Sequence, residues 1–162
     1  MSINHDAHEG IREIQPENIP EEMRQYRNWV VWKLEERDGD LTKMPYIAGG
    51  VGRASSTDSR TWRPFEEAVQ ALDTGRYSGV GFVFSSGDPF TGIDLDKCRD
   101  PVSGELEAWA EKIVEEFGGY AEVSQSGTGV HIIVRGKGPN KKRGKVEGYS
   151  SERYFAMTGV TL

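Results

Sequence analysis

The chain has 162 residues, of which 36% are hydrophobic, and a formal net charge of −6 at pH 7. This length suits one domain with its own core and excludes a mini-protein that needs disulfides or a bound metal to fold. A single cysteine, Cys98, excludes an internal disulfide and a four-cysteine zinc site, and it predicts a protein of a reducing compartment. We find no basic-then-apolar leader and no long apolar run, so we expect neither a signal peptide nor a membrane span.

The N-terminal half predicts a loose arm, two helices and a hairpin. The first 20 or so residues are polar and lack periodicity, whereas Asn18 and Pro20 suit a helix start. Aromatic and β-branched residues predict the strands, and apolar residues at helical spacing predict the second helix. The predicted elements are a helix over residues 20–26, strands over residues 29–34 and 42–47, a loop over residues 48–60 and a helix over residues 64–75.

The C-terminal half predicts six strands and one helix. The elements are two adjacent, paired strands over residues 80–84 and 91–96 joined by a short turn, a helix over residues 103–117, a hairpin over residues 121–125 and 130–134, and strands over residues 145–148 and 153–158. The whole order, β-β-α-β-β-α-β-β-β-β, predicts an α+β or mixed α/β fold with helices covering a sheet.

Charge is distributed unevenly along the chain. Acids dominate residues 1–22 and 100–122, whereas residues 135–145 contain six basic residues and no acid. Such a run is usually a solvated surface loop, but a basic loop can also bind a phosphate backbone. Both interpretations stay open at this point.

Two acids in the predicted strand over residues 91–96 are candidate metal ligands. Side chains at positions i and i+2 of a strand share a face, so Asp94 and Asp96 lie side by side and Leu95 points into the core. Like charges at this distance repel unless a cation sits between them, and carboxylate oxygens suit Mg²⁺ or Mn²⁺. The alternative is that Asp simply collects beside turns for conformational reasons.

Three further polar residues lie on predicted strands. His131 follows the Ser- and Gly-rich turn of residues 126–129, whose exposed amides suit a phosphate to which His131 could also donate. The alternative for His131 is a half-buried ring held by a backbone carbonyl. Glu147 and Arg153, each taken alone, are typical of solvent-facing positions, and Arg153 is also typical of a cation–π partner.

Three motifs follow one another in the chain. They are a hydrophobic-Asp-hydrophobic-Asp strand at residues 92–98, a Ser- and Gly-rich turn ending in His at residues 124–132, and an acid followed by Arg, aromatics and Thr-Gly at residues 146–159. Together, with matching context from residue 29 onward, they resemble the primase-polymerase domains of the archaeo-eukaryotic primase superfamily. The form they resemble is that found in replication proteins of phages, plasmids and other mobile elements.

The resemblance implies the catalytic core of a DNA primase and DNA polymerase. This enzyme would transfer nucleotides from NTP or dNTP to a 3′-hydroxyl on a DNA template, on an RRM-like sheet with an N-terminal α/β unit. The implied catalytic residues, which would hold two Mg²⁺ or Mn²⁺ ions, are Asp94, Asp96 and Glu147. The implied nucleotide-binding residues are Ser126, His131, Arg153 and Lys43.

The resemblance also implies partners and a domain plan. The implied DNA contacts are Lys141, Lys142 and Arg143. We expect a DNA template and primer, NTP or dNTP, and a helicase in the same polypeptide or assembly, all in the cytoplasm of a prokaryotic or phage-infected cell. We also expect a polar arm and short helix over residues 1–27, followed by one catalytic domain over residues 28–162.

Two other functions stay open. A nucleotide- or nucleic-acid-binding module without catalysis could use the same sheet, although acids beside a phosphate path would repel its ligand. A metal-dependent nuclease also needs clustered carboxylates, but Tyr149 stands two residues after Glu147, where a typical nuclease core has Lys. The Gly at position 148, where many relatives carry a larger apolar residue, weakens its strand.

Overall fold

The computed structural model describes residues 13–162, so the first 12 residues of the predicted arm lie outside the described residues. The helices are α1 (Glu21–Arg24), α2 (Phe65–Asp73) and α3 (Ala108–Phe117). The strands are β1 (Trp29–Arg37), β2 (Asp40–Tyr46), β3 (Gly79–Phe84), β4 (Phe90–Leu95), β5 (Tyr120–Val123), β6 (Val130–Arg135), β7 (Lys141–Arg143), β8 (Val146–Tyr149) and β9 (Arg153–Met157).

The strands form two antiparallel sheets. The four-stranded sheet has the order β2-β1-β3-β9, and the five-stranded sheet has the order β5-β6-β4-β8-β7. This architecture confirms the predicted α+β class. The expected pairing of residues 80–84 with residues 91–96 is wrong, because β3 and β4 lie in different sheets. Both edges of β3 are taken by β1 and β9, and both edges of β4 by β6 and β8.

The turn between β3 and β4 is fixed by a buried ion pair. The carboxylate of Asp88, which is fully buried, accepts hydrogen bonds from the backbone amides of Ser85 at 2.7 Å and Phe90 at 2.8 Å. Lys137 Nζ donates to Asp88 Oδ1 at 3.0 Å and to the carbonyl of Ser150 at 2.7 Å. Lys137 therefore ties the basic segment to the crossover between the sheets and is not part of a free loop.

The N-terminal segment packs on the core from residue 13 onward. The amide of Gln15 donates to the carbonyl of Thr158 at 2.7 Å, and Ile19 and Met23 are buried. Pro20 occupies the N-cap position of α1, and Asn18 donates its side-chain amide to Gln15 instead of capping the helix. The part of the predicted arm that the structure describes is thus anchored.

Two other predicted bounds differ from the structure. The third helix begins at residue 108, because the Asp100 side chain accepts the amides of Val102 and Ser103 and holds that stretch in a turn. The basic segment, predicted as a loop, contains β7, whose exposed side chains are tolerated because it is the edge strand of its sheet.

The main core lies where the two sheets meet. Phe84 and Phe155 of the four-stranded sheet contact each other edge to face, with ring centroids 5.0 Å apart. They lie against β4 at Gly92, where an added Cβ would meet the Phe155 and Phe84 rings at 2.4 and 2.5 Å. The other face of the five-stranded sheet packs on α3 through Ile93, Leu95 and neighbouring apolar residues. The absent side chain at Gly92 therefore allows the sheets to approach.

Replacing Gly92 by Ala should lower the free energy of unfolding by about 1–3 kcal/mol, because the new methyl overlaps two buried rings. Gly148→Ala is a matched control, since residue 148 pairs with Ile93 on the adjacent strand and nothing lies within 4 Å of its added Cβ. Urea unfolding measures both. Equal losses in the two variants would contradict the account of sheet packing.

Candidate functional site

A charged row crosses the five-stranded sheet, with one side chain from each strand. The direct cross-strand pairs are Glu122 with His131, His131 with Asp94, Asp94 with Glu147, and Glu147 with Lys142. Directly opposed residues of antiparallel strands place their side chains on the same face of the sheet. The charged row therefore occupies one face, and Ile93 and Leu95 occupy the opposite face under α3.

Two of the three predicted metal ligands meet in this row, and the third lies beside it. Asp94 and Glu147 are direct partners on β4 and β8. Asp96 lies one residue beyond the end of β4, where it is exposed and its amide donates to the carbonyl of Lys145 at 2.8 Å. This hydrogen bond continues the register of β4 with β8, and Asp96 lies close enough to Asp94 for its charge to raise the pKa of Asp94.

The surroundings of the Asp94 carboxylate disfavour its charged form. Burial raises the pKa of Asp94, and the charges of Asp96 and Glu147 raise it further, while His131 and Lys43 act in the opposite direction. A carboxylate under this repulsion is one that a bound cation would stabilise. The environment of Asp94 therefore disfavours its charged form, chiefly through burial.

Glu147 has one hydrogen-bond partner on each carboxylate oxygen. Lys142 Nζ lies 2.9 Å from Glu147 Oε1, and the Tyr149 hydroxyl donates to Oε2 at 2.6 Å. The hydrogen bonds from Tyr149 and Lys142 lower the pKa of Glu147. In this arrangement, residues 13–162 contain no group of three or more His, Cys, Asp or Glu side chains that could hold a metal ion.

His131 is buried between the acids of the row. Its Nε2 lies 3.6 Å from Asp94 Oδ1, and its Nδ1 lies 3.3 Å from Glu122 Oε2. The imidazole stacks on the Phe155 ring, with centroids 4.5 Å apart. The carboxylate of Glu122 thus holds the ring at Nδ1. The alternative interpretation of the sequence predicted a backbone carbonyl as the partner.

Sequence reasoning missed Glu122. The one signal in the sequence is a Glu between Ala121 and Val123 in a strand of otherwise apolar character. The residue is fully buried in the structure. A buried carboxylate needs hydrogen-bond partners, and such a residue in a strand is a candidate for a specific contact.

The charged row faces a cleft of about 310 Å³ between the two sheets. Its lining includes Lys43, Arg153 and Phe155 from the four-stranded sheet, and Asp94, His131 and Glu147 from the five-stranded sheet.

The two basic residues of the cleft lie in different environments. Burial lowers the pKa of Lys43, and the charges of Asp94 and Asp96 oppose that shift. The Arg153 guanidinium lies 5.2 Å from the centroid of the Tyr149 ring. Acids and bases therefore face each other across the inter-sheet cleft.

Lys43 reaches the cleft because its strand is tied to β9. The hydroxyl of Tyr154 donates to the carbonyl of Lys43. The Tyr154 ring crosses over Gly81 of β3, where an added Cβ would lie 2.6 Å from the ring. The position of Lys43 thus depends on a glycine two strands away.

The turn that contains Ser126 lies outside the lining of this cleft. Three of its amides have partners within the turn, since Gly127 N donates to the carbonyl of Ser124, Thr128 N to Ser126 Oγ, and Gly129 N to Ser124 Oγ. A phosphate at this turn stays a prediction. The Ser126 hydroxyl itself lies 2.9 Å from Thr128 Oγ1.

The three predicted DNA contacts do not form one patch. Lys142 lies on the face of the charged row, where it pairs with Glu147. Lys141 and Arg143, its neighbours on β7, alternate to the opposite face, on which Val146 packs towards α3. Elsewhere in the basic segment, Arg135 forms an ion pair with Glu22.

Comparison with known proteins finds a relative of the chain. Over 145 residues, which are 85% of the chain, the sequence is 38% identical to a protein named DNA primase-polymerase from Nitratiruptor phage NrS-1. The chain is a homologue of part of a primase-polymerase. It spans 20% of the length of that phage protein.

No protein-family model matches the sequence. Within residues 13–162, none of the helices has the length and apolar character that crossing a membrane requires.

Replacing Asp94 by Asn should raise the free energy of unfolding at pH 7. Because the folded-state pKa of Asp94 lies above its ordinary value of 3.8, the folded protein loses stability as the pH rises through the interval above 3.8, and Asn removes that loss. Urea unfolding at pH 4 and pH 7 measures the difference.

Asp100→Asn is the control with the opposite sign. The amides of Ser103 and Val102 lower the pKa of Asp100, so its carboxylate contributes stability above pH 3.8 that the variant should lack. An Asp94→Asn protein that is less stable than the unmodified chain at pH 7 would contradict the described electrostatics.

Proposed function

We propose that this chain is the catalytic core of a DNA primase-polymerase, which transfers nucleotides from NTP or dNTP to a 3′-hydroxyl on a DNA template. The observation that carries the proposal is the meeting of Asp94 and Glu147 on one face, opposite Lys43 and Arg153 across the inter-sheet cleft. Acids on one wall and bases on the other suit a triphosphate and its cations. The similarity to a phage primase-polymerase supports the same assignment.

The acidic wall fits the divalent ions that the family resemblance implies. Asp94, Asp96 and Glu147 offer the carboxylate oxygens that Mg²⁺ and Mn²⁺ prefer, and burial together with the charges of Asp96 and Glu147 raises the pKa of Asp94. Two such ions, when bound, would lower the pKa of the attacking hydroxyl and neutralise the triphosphate. For Glu147 to serve as a ligand, the Lys142 ammonium has to leave Oε1.

The other residues of the cleft would bind the nucleotide. The Lys43 ammonium and the Arg153 guanidinium supply donors and positive charge for phosphate oxygens. His131 presents Nε2 between Asp94 and the cleft, where a protonated nitrogen would donate to the same phosphates. Lys142, once released from Glu147, adds a mobile cation at the edge of the site.

Other partners stay predictions. We propose that Lys141, Arg143 and Lys142 contact the DNA template or primer from two faces of the edge strand β7. The Ser126 hydroxyl, which is exposed and lies near Ser124 Oγ and Thr128 Oγ1, would contact phosphates of the nucleotide. A helicase in the same polypeptide or assembly also stays a prediction.

A binding module without catalysis is the second candidate. The engagement of both Glu147 oxygens by Lys142 and Tyr149 favours it, because a silent domain would keep its acids neutralised in this way. The two functions separate on one result: a module of this kind binds nucleotide or DNA and incorporates nothing.

Primer extension on a DNA template with labelled NTP or dNTP and Mg²⁺ or Mn²⁺ tests the function. Asp94→Asn and Glu147→Gln should each reduce incorporation by more than about 100-fold, which is the upper end of losses from altering outer-shell partners. Asp100→Asn alters an exposed acid outside the cleft and should leave incorporation unchanged. Undiminished synthesis by either site variant would overturn the assigned roles.

Removing the ammonium that competes for Glu147 should strengthen cation binding. Lys142→Gln should lower the dissociation constant for Mn²⁺, measured without DNA by electron paramagnetic resonance, by up to about fivefold, the worth of an exposed ion pair. Lys141→Gln is the matched control, because its side chain alternates to the other face of β7. Equal Mn²⁺ affinity in all three proteins would show that Lys142 and the ion do not compete.

A further inference from the structure

The Glu122 carboxylate is buried and hydrogen-bonded on both oxygens. Oε1 accepts from the Tyr120 hydroxyl at 2.7 Å and from the amide of Gly159 at 3.1 Å. Oε2 accepts from the amide of Thr158 at 2.8 Å and lies 3.3 Å from His131 Nδ1. Two backbone amides and a hydroxyl therefore hold the carboxylate in place independently of His131.

The His131 ring is constrained on three sides. The Glu122 carboxylate lies at Nδ1, the Phe155 ring covers one face, and Asp94 lies beyond Nε2 towards the cleft. An acidic acceptor at Nδ1 favours a proton on that nitrogen. With Nδ1 held by Glu122, the nitrogen on the opposite side of the ring, towards the cleft, is Nε2. Rotation of the ring would bring a carbon atom against the carboxylate.

We propose that Glu122 is a positioning residue, which holds a proton on His131 Nδ1 and thereby directs Nε2 into the inter-sheet cleft. The positioning itself is independent of any reaction. What Nε2 then does rests on the proposed function: it donates to the phosphates of the incoming nucleotide when the ring carries both protons, because the neutral ring keeps its one proton on Nδ1. Glu122 lies behind the imidazole, outside the lining of the cleft, and acts on the nucleotide only through His131.

The most direct test is nitrogen NMR of the protein with ¹⁵N-labelled histidine, in which His131→Ala assigns the signals. We expect His131 Nδ1 to carry a proton that exchanges slowly with water, in either the neutral or the charged form of the ring. A His131 ring whose Nδ1 lacks a proton would overturn the proposal. This measurement needs no variant of Glu122 and no polymerase activity.

Kinetics of variants separates positioning from a general structural role. Glu122→Gln should raise the KM for nucleotide by about 10- to 100-fold, as expected on losing an outer-shell partner. The same substitution in a His131→Ala background should have no further effect on KM, because its route to the nucleotide is already lost. A full KM effect in both backgrounds would overturn the proposal.

Tyr120→Phe is the matched control. It removes a hydrogen bond to Oε1 but leaves the Oε2 contact with His131, so we expect a lower melting temperature and a nucleotide KM within twofold of the unmodified chain. A KM that rises as far in Tyr120→Phe as in Glu122→Gln would overturn the specific role of the Nδ1 contact. If the unmodified protein incorporates no nucleotide, the proposed function fails, and the NMR result still decides on the positioning.

Discussion

The register of β4 between β6 and β8 is the constraint on which the site depends. It sets Asp94 opposite both His131 and Glu147, and a slip by one residue would turn Asp94 into the apolar layer under α3. Packing specifies this register from both faces. Leu95 has to face α3, and Gly92 has to face the rings of Phe84 and Phe155.

This arrangement concentrates negative charge where folding alone would not favour it. Asp94 and Glu147 repel each other, and the repulsion is offset by Lys142, His131 and the half-buried Lys43. Such a cluster is costly for a protein that only needs to fold, and it is typical of sites whose ligand supplies the missing charge. The charges of Asp94 and its neighbours and the similarity to a phage primase-polymerase both support the proposed function.

The second sheet turns this charged face into a site. Lys43 and Arg153 belong to β2 and β9 of the four-stranded sheet, and both reach the cleft that the acids line. Their approach depends on close contacts over glycine, at residue 81 under Tyr154 and at residue 92 under Phe155. A function that uses both walls of the cleft is therefore sensitive to packing far from the charges themselves.

The sequence predicts the α+β class and the hairpin of β1 and β2, because these depend on local periodicity and turn residues. It also predicts which residues carry charge on the strands. It does not predict which strands become neighbours, since β3 and β4 separate into two sheets. The sequence does not predict Glu122 as a site residue, because its partners Thr158 and Gly159 lie more than 30 residues away in the chain.

A crystal structure with Mn²⁺ and a nucleoside triphosphate, with the metal located by its anomalous scattering, tests the central claim most directly. The account predicts metal between Asp94 and Glu147 at about 2.0–2.2 Å from their oxygens, with Lys142 displaced and the phosphates towards Lys43 and Arg153. Metal and phosphates bound elsewhere, with the ion pair of Lys142 and Glu147 intact, would contradict it.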